Sequence, residues 1–172
     1  FNLQSVLPLP LQLDSSNTQA LEKAMRMYNG KAMINSVNGK QSSMNEVFPL
    51  VQKYGGVVVC LCLDENGIPE TAKGRIAIAE KIIKTAESYG IDKKDLVVDA
   101  LVMTISTNKD NAKETLKAVE YIRHELGVGT VLGVSNISFG LPKREAINTA
   151  FFTLALKAGL SAGIINPLSE SM

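Results

Sequence analysis

Thr130-Val131-Leu132-Gly133-Val134-Ser135-Asn136-Ile137-Ser138-Phe139-Gly140 is the stretch that decides the fold. Its first residues are apolar or β-branched and read as a buried strand. Gly133 and the polar pair Ser135-Asn136 break the run, and a helical pattern opens near Lys143. A strand that runs into small and polar residues before a helix is where an α/β protein places its chemistry. Asn136 is then either a turn residue or a working group. The other strand ends bear on which.

The same pattern repeats on both sides of that stretch. Leu96-Val97-Val98 reads as a short strand ending at Asp99. Residues 57–63 form the most apolar strand, closed by Asp64-Glu65-Asn66-Gly67. Ala32-Met33-Ile34 ends at Asn35-Ser36-Val37-Asn38-Gly39, and the run Pro8 to Leu13 ends at Asp14-Ser15-Ser16-Asn17. On the far side, Ser161 to Ile165 ends at Asn166-Pro167. Helical spacing fills the intervals over 18–28, 42–54, 71–89 and 110–126, and from near Lys143 to Ala158. Ile76, Ala79, Ile82, Ile83 and Ala86 make the clearest apolar stripe. Strands alternating with crossover helices imply a parallel sheet.

Two architectures fit that alternation, an open doubly wound sheet and a (β/α)8 TIM barrel. No Gly-x-Gly-x-x-Gly follows the first strand, which weakens a dinucleotide-binding reading. Six strand–helix units in 172 residues suit most of a barrel, whose usual length is about 250 residues. A barrel then needs two strands beyond these 172 residues. The chain opens on Phe1 rather than Met, which reads as a piece of something longer.

Composition narrows the function. Apolar residues make up 45% and charged residues 20%, ordinary for a globular domain with a full core. Net charge is +1 with the signs interspersed, so no basic stripe points to nucleic acid. No apolar run is long enough to cross a membrane, and no secretory leader is visible, so a cytoplasmic protein is expected. Cys60 and Cys62 share one face at strand spacing and read as small buried hydrophobes. His124, the single histidine, falls in a charged helical pattern and reads as a surface residue.

The strand ends read Asp14, Asn35, Asp64, Asp99, Asn136 and Asn166. In a barrel these ends line one mouth. Each alone is a common helix cap or turn residue. Asp64-Glu65-Asn66-Gly67 reads as a solvated turn and stays outside the site. No lysine ends a strand, against a Schiff-base aldolase. No His or Cys cluster sits there, against a metal held by this chain. No glycine-rich cradle sits there, against a sugar phosphate. Carboxylates with amides suit a neutral heterocycle. A carboxylate accepts two hydrogen bonds from an N–C–N edge, and Asn matches a neighbouring donor and acceptor. A pterin or guanine-like ring has that edge. The sequon Asn136-Ile137-Ser138 is an empty match without a secretory signal.

Leu13-Asp14-Ser15-Ser16-Asn17, Met33-Ile34-Asn35-Ser36-Val37-Asn38-Gly39, Gly67-Ile68-Pro69, Val98-Asp99-Ala100-Leu101 and Gly133 to Gly140 occur in that order. Together they resemble the pterin-binding domain of cobalamin-dependent methionine synthase, over nearly the whole of residues 1–172. The methyltetrahydrofolate:corrinoid protein methyltransferases share much of the pattern. The resemblance implies a (β/α)8 barrel that holds methyltetrahydrofolate at its mouth. Asp14, Asn35 and Asp99 would hold the pterin ring, and Asn136 would hydrogen-bond near the methyl-bearing nitrogen. A basic residue after that loop would help bind the folate, carried over to Arg144, with Asn148 as the alternative. The implied reaction passes the methyl group to cob(I)alamin on a corrinoid partner domain or protein. The family's Gly-Glu-Arg-type and Asp-x-Asn motifs, from its first two strands, are not in this sequence, nor is its last helix. Two other readings stand beside this one. A dihydropteroate synthase would carry lysine after its later strands, and Asp99-Ala100-Leu101-Val102-Met103 has none. A non-catalytic folate-binding fragment would bind without transferring methyl.

Overall fold

The computed structural model describes residues 2–6 and 8–169; Phe1, Leu7 and the last three residues lie outside it. Six strands make one parallel sheet: β1 (Gln12–Asp14), β2 (Met33–Asn38), β3 (Val57–Leu61), β4 (Leu96–Asp99), β5 (Gly129–Gly133) and β6 (Ala162–Ile164). A short helix α1 (Asn2–Val6) precedes them. The crossovers are α2 (Thr18–Met27), α3 (Gln41–Tyr54), α4 (Ala72–Ser88), α5 (Asn111–His124) and α6 (Arg144–Lys157).

The strands lie in the sheet in sequence order, each beside its sequence neighbours. A doubly wound sheet reverses its order at a switch point. No reversal occurs here, so the sheet is a wall of a (β/α) barrel. Among the described residues β1 and β6 are its open edges.

Strand alternation sorts the side chains onto two faces. Ile34, Val58, Cys60, Leu96, Val98 and Leu132 pack with Phe48, Ile82 and Ile122 of the helices in one core. Asp14, Asn35, Val59 and Val97 are register partners across four strands on the opposite, inner face. Asp99 stands two residues above Val97, beside Leu61 and Val131, one layer nearer the mouth.

Local chemistry explains the element ends. Asn17 and Thr71 cap α2 and α4, accepting from the backbone N–H of Ala20 and Gly74. The expected first strand shrinks to Gln12–Asp14. Pro8 and Pro10 carry no N–H for a ladder. The strand expected to stop before Asn35 runs on to Asn38, with its register shifting between Asn35 and Val37. Asp64 to Gly67 is the expected turn, closed by reciprocal backbone bonds of 3.1 Å and by Asn66 N–H to Asp64 Oδ1 at 2.8 Å. His124 is exposed at the end of α5. Cys60 and Cys62 are buried free thiols. Burial pushes the Cys60 thiol up to about 12 and the Cys62 thiol up as well, so both are inert. No helix among the described residues is long and apolar enough to cross a membrane.

Candidate functional site

The polar residues stand near the C-terminal ends of the strands or in the connections that follow them. Asp14 closes β1 and its register partner Asn35 lies in β2. Asn35 Nδ2 donates to Asp14 Oδ2 at 3.3 Å. Asp14 is exposed and Asn35 half-buried. Both line a cavity of about 350 Å³ with Ser36, Lys40 and Glu46.

Asp99 differs. It ends β4 with 8% of its surface exposed. Its Oδ1 accepts from Leu101 N–H at 2.8 Å. Burial raises its carboxyl to about 6, against the opposing pulls of the Leu101 N–H and the Arg75 cation. The carboxylate therefore passes from acid to anion just below neutrality.

Asn136 sits in a 3-10 turn, Val134–Ser138, directly after β5. It is exposed, and its side-chain amide bonds to none of the described residues. The turn itself is well tied. Ile105 N–H donates to Ile137 O at 3.0 Å, and Thr104 Oγ1 and Ser106 Oγ donate to Phe139 O at 2.8 and 3.1 Å. These bonds join the loop after Asp99 to the loop that carries Asn136.

Arg144 and Asn148 support that loop from behind. Arg144 donates through Nε to Ser138 Oγ at 3.0 Å and through Nη2 to Ser135 O at 2.9 Å. The buried Ser138 hydroxyl donates to Asn148 Oδ1 at 2.7 Å. Arg144 is exposed and Asn148 is buried. Both line a cavity of about 450 Å³ with Ser135, Glu145 and Asn166. The fold thus places Asp14 with Asn35, and Arg144 with Asn148 behind the turn of Asn136, while Asp99 is linked to that turn through the loop of Thr104 and Ser106. Val59 and Leu61 of β3 stand between Asn35 and Asp99.

Arg75, Thr104 and Ser106 were missed by sequence reasoning. Arg75 had a legible signal, since it falls in phase with Ile78, Ala79 and Ile82 on a buried helix face. Thr104 and Ser106 had none, because they act across loops on a backbone carbonyl.

A family model described as pterin binding enzyme matches residues 2–166. The chain belongs to that family. Among its relatives, a methionine synthase of Mycobacterium tuberculosis is 34% identical over 171 residues, covering 92% of this chain and 14% of that protein. A methylcorrinoid:tetrahydrofolate methyltransferase of Eubacterium limosum is 26% identical over 175 residues, covering 99% of this chain and 64% of that protein. The chain therefore spans less than two thirds of either relative. Among solved structures, a dihydropteroate synthase from Xanthomonas albilineans with 4-aminobenzoic acid superposes with a TM-score of 0.78 at 21% identity. It covers 98% of this chain and 66% of that one, and the likeness is one of fold alone. These matches agree with the expected barrel and with the expected pterin-binding family. No group of His, Cys, Asp and Glu among the described residues could hold a metal ion.

Proposed function

We propose that this pterin-binding chain holds 5-methyltetrahydrofolate at the strand ends and gives up its methyl group to cob(I)alamin on a partner domain or protein. The observation that carries the reading is Asp99, a buried carboxylate on the inner face at the mouth. Above pH 6 it is an anion, and an anion there favours an N–C–N edge with two N–H donors. Asn35 and Asp14, on the same face, supply a neighbouring donor and acceptors.

Cob(I)alamin, carried by the partner, supplies the nucleophile that accepts the methyl group. This chain's part is to hold the ring and help the nitrogen leave. The departing nitrogen keeps the C–N electron pair and takes a proton from solvent, and it is a poor leaving group unless it gains that proton or a hydrogen bond as the methyl departs. Asn136, whose side-chain amide bonds to none of the described residues, can form that bond most strongly in the transition state. Asp14, Asn35 and Asp99 fix the ring for in-line attack. Arg144 then serves the folate's acidic tail or the loop that carries Asn136. The names of the relatives support methyl transfer over pteroate synthesis, because the likeness to dihydropteroate synthase extends to fold alone.

Asn136→Ala tests the role. Methyl loss from 5-methyltetrahydrofolate to added cob(I)alamin should fall about a hundredfold, in line with removal of one transition-state donor. The dissociation constant for the folate should change far less. An unchanged transfer rate removes Asn136 from the mechanism. Pteroate formation from a pterin pyrophosphate and 4-aminobenzoate would favour the synthase reading, and binding without transfer a purely folate-binding one.

A further inference from the structure

Among the described residues, two acidic or basic side chains are buried, and they have opposite signs. Arg75 of α4 is 0% exposed and Asp99 is 8% exposed. A buried guanidinium is costly unless its donors are met. Arg75 has no salt bridge among the described residues. Its Nε donates to Pro69 O at 2.9 Å. Its Nη1 donates to Ala100 O at 3.2 Å, Leu101 O at 2.9 Å and Thr115 Oγ1 at 2.7 Å. Its Nη2 meets no acceptor.

Those bonds converge on one turn. Leu101 has a φ of 63°, in the left-handed region. That conformation costs a leucine on the order of 1 kcal/mol, so something must hold it. Arg75 grips the turn by the carbonyls of Ala100 and Leu101. Asp99 grips it by the Leu101 N–H at 2.8 Å. The two buried charges hold opposite sides of the same turn.

We propose that Arg75 is a positioning residue for Asp99: it fixes the Ala100–Leu101 turn so that the carboxylate keeps its orientation and its negative charge. This rests on the reading that Asp99 holds the pterin ring. The charged and titratable groups that act on the pair are few. Cys62, just past the end of β3, acts on both, and burial keeps its thiol neutral. Glu114 on α5 acts on Arg75, while it caps Ala72 N–H at 2.8 Å and pairs with Lys117 at 2.8 Å. Arg75 is the cation that acts on Asp99.

The test is a carboxyl-carbon NMR titration of Asp99 in the unliganded chain, alongside 5-methyltetrahydrofolate affinity and thermal unfolding. Arg75→Met should move the Asp99 midpoint up by about one pH unit, the loss of one nearby opposite charge. Arg75→Lys keeps the charge but loses the planar fork. It should hold the midpoint near the parent value while folate affinity falls about tenfold. A folded Arg75→Met with the parent midpoint overturns the proposal. So does Arg75→Lys with parent affinity, which decides alone if Arg75→Met does not fold. Asp99→Asn separates the two layers. Unchanged folate affinity in that variant sinks the pterin reading of Asp99, while the titration still judges Arg75.

Discussion

The two ends of the candidate site are built differently. Asp14 and Asn35 are placed by strand register: they are partners across β1 and β2, joined by one long bond of 3.3 Å near solvent. Asp99 and Asn136 are placed by loops that other residues hold. Arg75 grips the turn after Asp99, Thr104 and Ser106 tie that loop to Phe139 O, and Arg144 fastens the turn of Asn136 to α6. The sheet already fixes the first pair at little cost, so it needs no further support. The second group combines a buried charge with a left-handed leucine, and its support is drawn from two helices and a loop. Sequence changes should therefore trade stability against binding at one end and leave stability alone at the other.

The largest effect is expected at Asp99. A carboxyl raised to about 6 binds its proton more tightly in the native state than in the unfolded chain, where it sits near the ordinary 3.8. Its contribution to stability is therefore fully present below pH 4 and lost as pH rises through 6. The loss is on the order of 3 kcal/mol for a shift of this size. Asn in its place carries no charge and can still accept from Leu101 N–H. Asp99→Asn should stabilise the chain at pH 8 by up to about 3 kcal/mol, with the gain vanishing near pH 4, while folate affinity falls at least tenfold. Urea unfolding at the two pH values reads this. A gain of equal size at both would mean that the charge of Asp99 is not what the fold works against.

A smaller effect is expected at the tie between the two loops. Thr104→Val with Ser106→Ala removes both hydroxyl donors to Phe139 O. Two partly exposed bonds of this kind should cost about 1 kcal/mol in all. Hydrogen exchange should quicken at Ile105 N–H, which donates to Ile137 O, and stay unchanged at Ser15 N–H, which donates to Asn35 O. Equal quickening at both amides would mean that the two ends open as one unit, and the contrast between them would fall.

The same contrast governs what the sequence reveals. The places of Asp14, Asn35 and Asp99 in the strands are legible because each follows an apolar run, and strand alternation fixes the face on which it emerges. The barrel wall was legible for a related reason: alternating strand and helix patterns with no dinucleotide motif left little else. The first strand is shorter than its apolar run, since Pro8 and Pro10 deny it a ladder. The turn at Val134–Ser138 and the short helix Asn2–Val6 carry too little periodicity to stand out. Arg144 and Asn148 could be named from the resemblance, yet nothing in the sequence says that both meet at the Ser138 hydroxyl. Contacts between loops depend on backbone geometry that no local pattern encodes. Arg75 lay between these cases, a charge in an apolar stripe that could have been questioned.

The smallest effect on stability is expected at Asn35, and it is the sharpest test of the contrast. Its amide makes one bond to Asp14, long and near solvent, where water replaces it readily. Such a bond contributes well under 1 kcal/mol net. Asn35 is half-buried in a strand whose backbone pairs on both sides, so the sheet does not depend on its side chain. Alanine there should change unfolding free energy by less than about 0.5 kcal/mol, within the range of ordinary surface substitutions. Folate affinity should still fall about tenfold, the loss of one hydrogen bond to the ring. Denaturant unfolding and a binding titration on one preparation give both numbers. A stability loss above about 1 kcal/mol would show that the Asp14–Asn35 end is also held by its polar groups. A small stability change with parent affinity would instead take Asn35 out of the pocket and leave ring recognition to Asp99 and its supports.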